Sequence, residues 1–201
     1  WGKYQYQRLP MGVNVSPDVF QEKMSELMER LEFVRMYLDD LLINSNGSFS
    51  DHLCQVDTVL SRMPTAGLKF NVEKSAFFAP EIEYLGYLLT KEGIKPVPNK
   101  VQAVLDLQHP TTLKQLRSLL GMVQFYRDMW QRRSHILAPF TDLVGEGKKK
   151  LAWTDIHQKA FDEIKAVMAK ETILNYPDFT KVFEIHTDAS DRQLGAVIAQ
   201  E

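Results

Sequence analysis

Polar and apolar positions alternate along Lys3-Tyr4-Gln5-Tyr6-Gln7-Arg8-Leu9, the two-residue period of a strand, until Pro10-Met11-Gly12 breaks it. Ser16-Pro17 then predicts a helix start, with Ser16 as N-cap and Pro17 at the first helical position. Val19, Phe20, Met24, Leu27, Met28 and Leu31 recur at helical spacing and carry this helix to about Phe33. Two short apolar runs, Val34-Arg35-Met36-Tyr37 and Leu41-Leu42-Ile43, flank Leu38-Asp39-Asp40 and predict a hairpin with acids at its tip. Asp51 can cap a helix bearing Leu53, Val56, Leu60 and Met63, which Pro64 ends.

Farther on, Ala76-Phe77-Phe78 and the run from Ile82 to Leu89 read as strands. Lys95-Pro96-Val97-Pro98 reads as an extended linker, which places a boundary near 90–98. Thr111 or Thr112 caps a helix with Leu113, Leu116, Leu120 and Val123 on one face. A glycine- and lysine-rich stretch at 145–150 makes a second boundary. A helix from about Asp155 to Lys170 turns Phe161, Ile164, Val167 and Met168 inward. Val182 to Thr187 and Leu194 to Ile198 form a second hairpin, with Asp188-Ala189-Ser190 near the end of its first strand.

Composition sharpens this in a few places. The 201 residues are 44% hydrophobic and 25% charged, ordinary for globular domains. The apolar runs fall short of the ~18–20 residues of a membrane span, so no membrane partner is expected. Cys54 is the only cysteine, which forbids an internal disulfide and reads as a buried small hydrophobe in a reducing compartment. Neither a starting Met nor a signal peptide is present, and both ends read as internal to a longer chain. Net charge is −2, unevenly spread. Residues 1–90 carry 8 basic and 12 acidic side chains, residues 91–150 carry 11 and 5, and residues 151–201 carry 5 and 9. A positive middle between acidic flanks suits a phosphate-binding surface or a solvated basic face.

Asp39-Asp40 is the first candidate chemistry. Two adjacent carboxylates between apolar strands repel each other unless a divalent cation or turn geometry explains them. Two-metal phosphoryl transfer uses carboxylates in this way, with hard oxygen ligands that suit Mg²⁺. A glycine between a strand and a helix start, as in Leu9-Pro10-Met11-Gly12, lets backbone approach a phosphate ligand, or is a plain turn.

The order of these pieces resembles reverse transcriptases. Tyr4 to Gly12, with Ser16-Pro17 and Phe20-Gln21, is similar to the family's nucleotide-site motif. Tyr37-Leu38-Asp39-Asp40 is similar to its catalytic motif, Gly67-Leu68-Lys69 with Lys74 to the motif that follows, and Glu83-Tyr84-Leu85-Gly86-Tyr87 to the primer grip. Leu116 to Arg127 resembles the thumb of gypsy-type LTR retrotransposon Pol polyproteins. Trp153 to Phe161, Tyr176-Pro177-Asp178-Phe179 and Thr187-Asp188-Ala189-Ser190 resemble the start of the RNase H-like domain that follows there.

This resemblance implies an α+β fold in three parts. A partial polymerase palm of antiparallel sheet plus helices covers 1–90, a helical thumb 91–150, and a connecting helix with the start of an RNase H-like α/β domain 151–201. It implies RNA-directed DNA synthesis with Mg²⁺, or Mn²⁺ in its place. The implied partners are a template–primer duplex, dNTPs and the rest of the Pol polyprotein, and the implied location is intracellular. Asp39, Asp40 and Asp188 take metal-binding, catalytic roles. Met11, Gly12, Tyr37 and Lys74 line the dNTP pocket, with Lys74 near the leaving pyrophosphate. Tyr84, Leu85 and Gly86 hold the primer, and Lys114, Arg117, Arg127, Arg132 and Arg133 are backbone contacts of the thumb. The family's third polymerase aspartate lies on a strand ahead of the position of Trp1, and its other RNase H acids lie past Glu201, so the 201 residues alone are expected not to polymerise. The family's helix also continues past the position of Pro64. A degenerate, non-catalytic nucleic-acid-binding copy is the alternative. A nuclease centred on Asp188 alone fails, because one carboxylate cannot hold two metals.

Overall fold

The computed structural model describes residues 2–130, 133–145, 150–170, 173–189 and 194–200. Residues 2–9, expected to form a strand, run without regular structure and with exposed side chains. They have no ladder partner among the described residues, so their alternating pattern has no face to bury.

Helix α1 spans Ser16–Leu27 and ends short of Phe33, because Met28 caps it and Arg30 enters the left-handed region at φ +66. Ser16 is not the N-cap. Val15 holds that position, and the buried Ser16 hydroxyl donates instead to the Pro10 carbonyl at 2.6 Å. Strands β1 (Val34–Tyr37) and β2 (Asp40–Ile43) pair antiparallel, with Tyr37 opposite Asp40. Helix α2 (Phe49–Thr65) opens on a capping box. Ser48 is its N-cap, and Asp51 is the return partner that accepts from the Ser48 N–H at 2.8 Å. Pro64 sits in the last turn, one residue from the helix end. Met24, Met28, Val34 and Val59 form the small core of this part. Cys54 is exposed, not buried, because at about 100° per residue it lies across α2 from the core-facing Val56 and Val59.

Residues 1–78 make one compact unit and residues 79–201 another, a division that falls ahead of the expected boundary at 90–98. The second unit begins with a three-stranded antiparallel sheet in the order β3 (Ile82–Tyr84), β4 (Tyr87–Leu89), β5 (Ile94–Pro96). The run expected to be one strand folds back at Leu85-Gly86, and Ala76-Phe77-Phe78 is not a strand. The stretch expected to be a linker supplies both β5 and the start of helix α3 (Pro98–Leu105). Pro96 is tolerated at the end of the last strand in the order, and Pro98 in the first turn of a helix. Leu174 pairs with Ile94 across the outer edge of β5 through two backbone hydrogen bonds of 2.9 and 3.0 Å.

Helix α4 (Leu113–Phe125) opens at Thr112, whose hydroxyl accepts from the Gln115 N–H in a capping box. Helix α5 (Arg133–Val144) was not foreshadowed by the hydrophobic pattern, and α6 (Asp155–Met168) ends two residues before Lys170. Leu116, Leu119, Val123, Phe140, Phe161 and Ile164 form the centre of the core. Each such buried side chain is worth about 1.5–3 kcal/mol. The Lys165 ammonium on α6 donates to the carbonyls of Leu105 and Leu107 and so closes the end of α3. Strands β6 (Glu184–Ala189) and β7 (Leu194–Ala199) form a hairpin whose Ile185, Val197 and Ile198 side chains are exposed. Among the described residues no helix is long and apolar enough to cross a membrane.

Candidate active site and nucleic-acid interface

The β1–β2 hairpin turns in two residues, Leu38 and Asp39. A turn this tight needs positive φ at its first residue, and Leu38 adopts φ +52, a region that a bulky side chain rarely enters. A side chain from α1 holds it there: the Gln21 Oε1 accepts from the Leu38 N–H at 2.5 Å, while the Gln21 amide nitrogen donates to Ser25 Oγ at 3.3 Å. Asp39 and Asp40 are both exposed. Neither has an ion-pair or side-chain hydrogen-bond partner among the described residues. Two adjacent carboxylates without a counter-charge fit a hard divalent cation as a partial ligand set. The set is partial, since no group of three or more His, Cys, Asp or Glu side chains gathers among the described residues. Tyr37, 54% exposed, ends β1 beside them.

The other expected pocket residues lie on separate pieces of the first unit. Met11 is 97% exposed, Gly12 has φ +84, and the Ser16–Pro10 hydrogen bond ties this turn to the start of α1. Lys74 ends a short 3₁₀ turn (Val72–Lys74) that Asn71 caps through its Oδ1, and its side chain is exposed. Motif order foreshadowed the grouping of Tyr37, Asp39 and Asp40. Gln21 was visible only as part of the nucleotide-site motif, and its grip on the turn had no sequence signal.

In the second unit, Tyr84 and Tyr87 face each other at the tip of β3 and β4, and Leu85 (φ +49) and Gly86 (φ +82) make the turn. Aromatic side chains at the end of α4 clamp it. Tyr126 donates to the Gly86 carbonyl at 3.1 Å, Tyr87 donates to the Phe125 carbonyl at 2.9 Å, and the Tyr87 and Phe125 rings stack at 5.1 Å. Burial pushes the phenols of both Tyr87 and Tyr126 up from their ordinary range. A side chain at Gly86 would put its Cβ 2.8 Å from the Phe125 ring.

Lys114 and Arg117 are exposed on α4, and Arg127 is exposed on the 3₁₀ turn after it, beside Asp128 at 3.5 Å. Arg133 is half-buried at the start of α5, so it is the least available of the four described basic candidates. Arg132 and Ser190 lie outside the described residues. Asp188 is on β6, paired with Gly195.

Residues 1–89 match the family model "Reverse transcriptase (RNA-dependent DNA polymerase)", and residues 153–201 match "RNase H-like domain found in reverse transcriptase". The Pol polyproteins of the Drosophila melanogaster transposons gypsy and 297 are 34% and 35% identical over 100% and 99% of the chain. The Tf2-3 polyprotein of Schizosaccharomyces pombe is 30% identical over 100% of it. The chain spans 20%, 19% and 15% of those three polyproteins. A foamy viral protease–reverse transcriptase solved in complex with double-stranded DNA superimposes on 96% of the chain with a TM-score of 0.86 and 26% identity, the match covering 34% of that protein. The same viral enzyme with an RNA/DNA hybrid gives a TM-score of 0.85 at 25% identity, over 97% of this chain and 27% of that one.

Proposed function

The chain belongs to the reverse transcriptase and RNase H-like region of retrotransposon Pol polyproteins, and from that premise we propose that it carries part of an RNA-directed DNA polymerase active site centred on Asp39 and Asp40. One observation supports this most directly: two exposed carboxylates, unpaired among the described residues, stand at a strained turn that Gln21 holds in place. Strain kept at a turn bearing charged groups is characteristic of functional sites.

In this reading residues 1–90 are palm, 91–150 thumb, and 151–201 a connecting helix with the start of the RNase H-like domain. Asp39 and Asp40 supply two of the oxygen ligands, and a third carboxylate comes from outside residues 1–201. A divalent cation held there, Mg²⁺ or Mn²⁺, would favour ionisation of a primer hydroxyl and offset charge on the transferring phosphate. Tyr37 lies against the primer end, and Met11, Gly12 and Lys74 border the dNTP, with Lys74 offering a proton or positive charge to the leaving pyrophosphate. Tyr84, Leu85 and Gly86 hold the primer strand, and Lys114, Arg117, Arg127, Arg132 and Arg133 meet duplex phosphates. Asp188 takes the first metal-ligand position of the RNase H-like site. The foamy viral relatives were solved on double-stranded DNA and on RNA/DNA hybrid, which supports duplex as the partner class. The setting is intracellular.

The test is Asp39→Asn in the full-length polyprotein. Primer extension is lost while the Kd for template–primer changes less than about threefold, because the substitution removes a charge at the chemistry and none from the phosphate track. Extension at the parent rate overturns the assignment of Asp39.

A further inference from the structure

We propose that Lys100, on α3, is a further nucleic-acid backbone contact that ends a phosphate track running along α4 to the Leu85-Gly86 turn. The proposal rests on the nucleic-acid reading above.

Three observations carry it. First, Lys100 is brought to the turn. Its Nζ would stand 3.0 Å from a Cβ on Gly86 and lies 5.6 Å from the centroid of the Phe125 ring. Glycine at 86 leaves room for both the ring and the ammonium. A cation over a ring face keeps its N–H donors free on the outer side. Lys100 is exposed and has no carboxylate partner among the described residues, although Lys95 of the same sheet region pairs with Glu92.

Second, the exposed face of α4 leads there. At 100° per residue, Lys114, Arg117, Gly121 and Phe125 share one face, opposite the buried Leu116, Leu119 and Val123. Gly121 has nothing within 4 Å of its Cβ position, so this face has no bulk in its middle. From Arg117 to Phe125 is about 12 Å along the axis, comparable to the rise of roughly three to four phosphates on one strand.

Third, the carboxylates near the turn make a cation there necessary for holding a phosphate, and Lys100 is a cation without a carboxylate partner among the described residues. Arg127 lies beside Asp128 at 3.5 Å, which offsets only part of the carboxylate's charge because both are exposed. Glu83 is exposed on β3, and both it and Asp128 act on the tyrosines of the turn, so an anion approaching there meets negative charge and needs a cation to be held. Lys100 supplies that cation from the Phe125 side.

The experiment measures binding of the 201-residue chain to a fluorescein-labelled primer–template DNA duplex by anisotropy, between about 50 and 200 mM salt. Lys100→Gln is expected to reduce the slope of log K against log salt by about 0.9, the value for one lost duplex phosphate contact. Lys100→Arg is expected to keep the parent slope. Lys91→Gln, at the turn on the opposite end of the same sheet, is expected to leave it unchanged. Lys114→Gln with Arg117→Gln separates the two claims. If that pair lowers the slope and Lys100→Gln does not, the assignment of Lys100 is overturned and the wider reading stands. If the parent chain does not bind the duplex, both fall. A lower melting temperature for Lys100→Gln with an unchanged slope makes it a structural lysine and overturns the proposal.

Discussion

Leu38 is a large side chain in the left-handed region, at φ +52, a conformation that costs about 1–3 kcal/mol and persists only where its surroundings enforce it. Gln21 is the enforcing contact. Gln21→Met keeps the length of the side chain and removes the acceptor, leaving the Leu38 N–H without its partner. In the full-length polyprotein this change is expected to lower kcat by about tenfold to a hundredfold, the scale of misplaced catalytic groups, with a smaller change in KM for dNTP. Steady-state primer extension measures the split, and a fall confined to KM would remove Gln21 from the positioning role. Asp51 offers a pH prediction away from the site. Its carboxyl is held below the usual range by the Ser48 hydroxyl and the Ser48 N–H. A depressed folded pKa gives stability that is full above the unfolded value of about 3.9 and disappears as pH falls through the folded one. The melting-temperature gap between the parent and Asp51→Ala is therefore expected to be widest at neutral pH and to close on acidification below pH ~4. At this scale the acids were legible and their support was not. Adjacency of Asp39 and Asp40 is written in the sequence, whereas Gln21 meets Leu38 across 17 positions with no pattern to announce it.

At the scale of elements, pieces with one clear period and a good cap were legible. The helices at Leu113–Phe125 and Asp155–Met168 have apolar faces, and Thr112 and Thr154 precede them. The pieces that went unseen are those whose signals conflict. Two prolines within four residues made 95–98 look like a linker, yet one sits at the end of a last strand and the other in a first helical turn. The run from Ile82 to Leu89 looked like one strand because apolar side chains continue through the fold-back, and Gly86 was its lone mark. That glycine is the place to test the packing of hairpin against helix. Gly86→Ala would have to fit a Cβ 2.8 Å from the Phe125 ring at φ +82. It is expected to cost about 1–3 kcal/mol through overpacking, read as a lower denaturation midpoint with an altered near-ultraviolet signal from Tyr87 and Tyr126. An unchanged midpoint would show that the ring and ammonium yield freely.

The whole molecule is two compact units, residues 1–78 and 79–201, each with its own buried cluster. Asp39 and Asp40 belong to the first, and the Leu85-Gly86 turn with the basic face of α4 to the second. If the proposed polymerase site rests on these two carboxylates, it lacks the ligand count that two-metal chemistry needs. The 201-residue chain supplied with Mg²⁺, dNTPs and a primed template is accordingly expected to bind duplex and to give no extension product on a denaturing gel. Extension would mean that the chain completes the site from its own residues. Motif order set this division of labour as an expectation before any geometry, and the unit boundary falls ahead of the expected 90–98 because the three-stranded sheet, which ends at Pro96, packs with the second unit. The Ile94–Leu174 pairing has a practical consequence of a different kind. It covers the free edge of β5, and an uncovered edge recruits strands from other molecules. A shortened chain that stops before Leu174 would keep every residue of the basic face of α4 and still leave that edge bare, so self-association, not loss of fold, would be the first fault of a careless truncation.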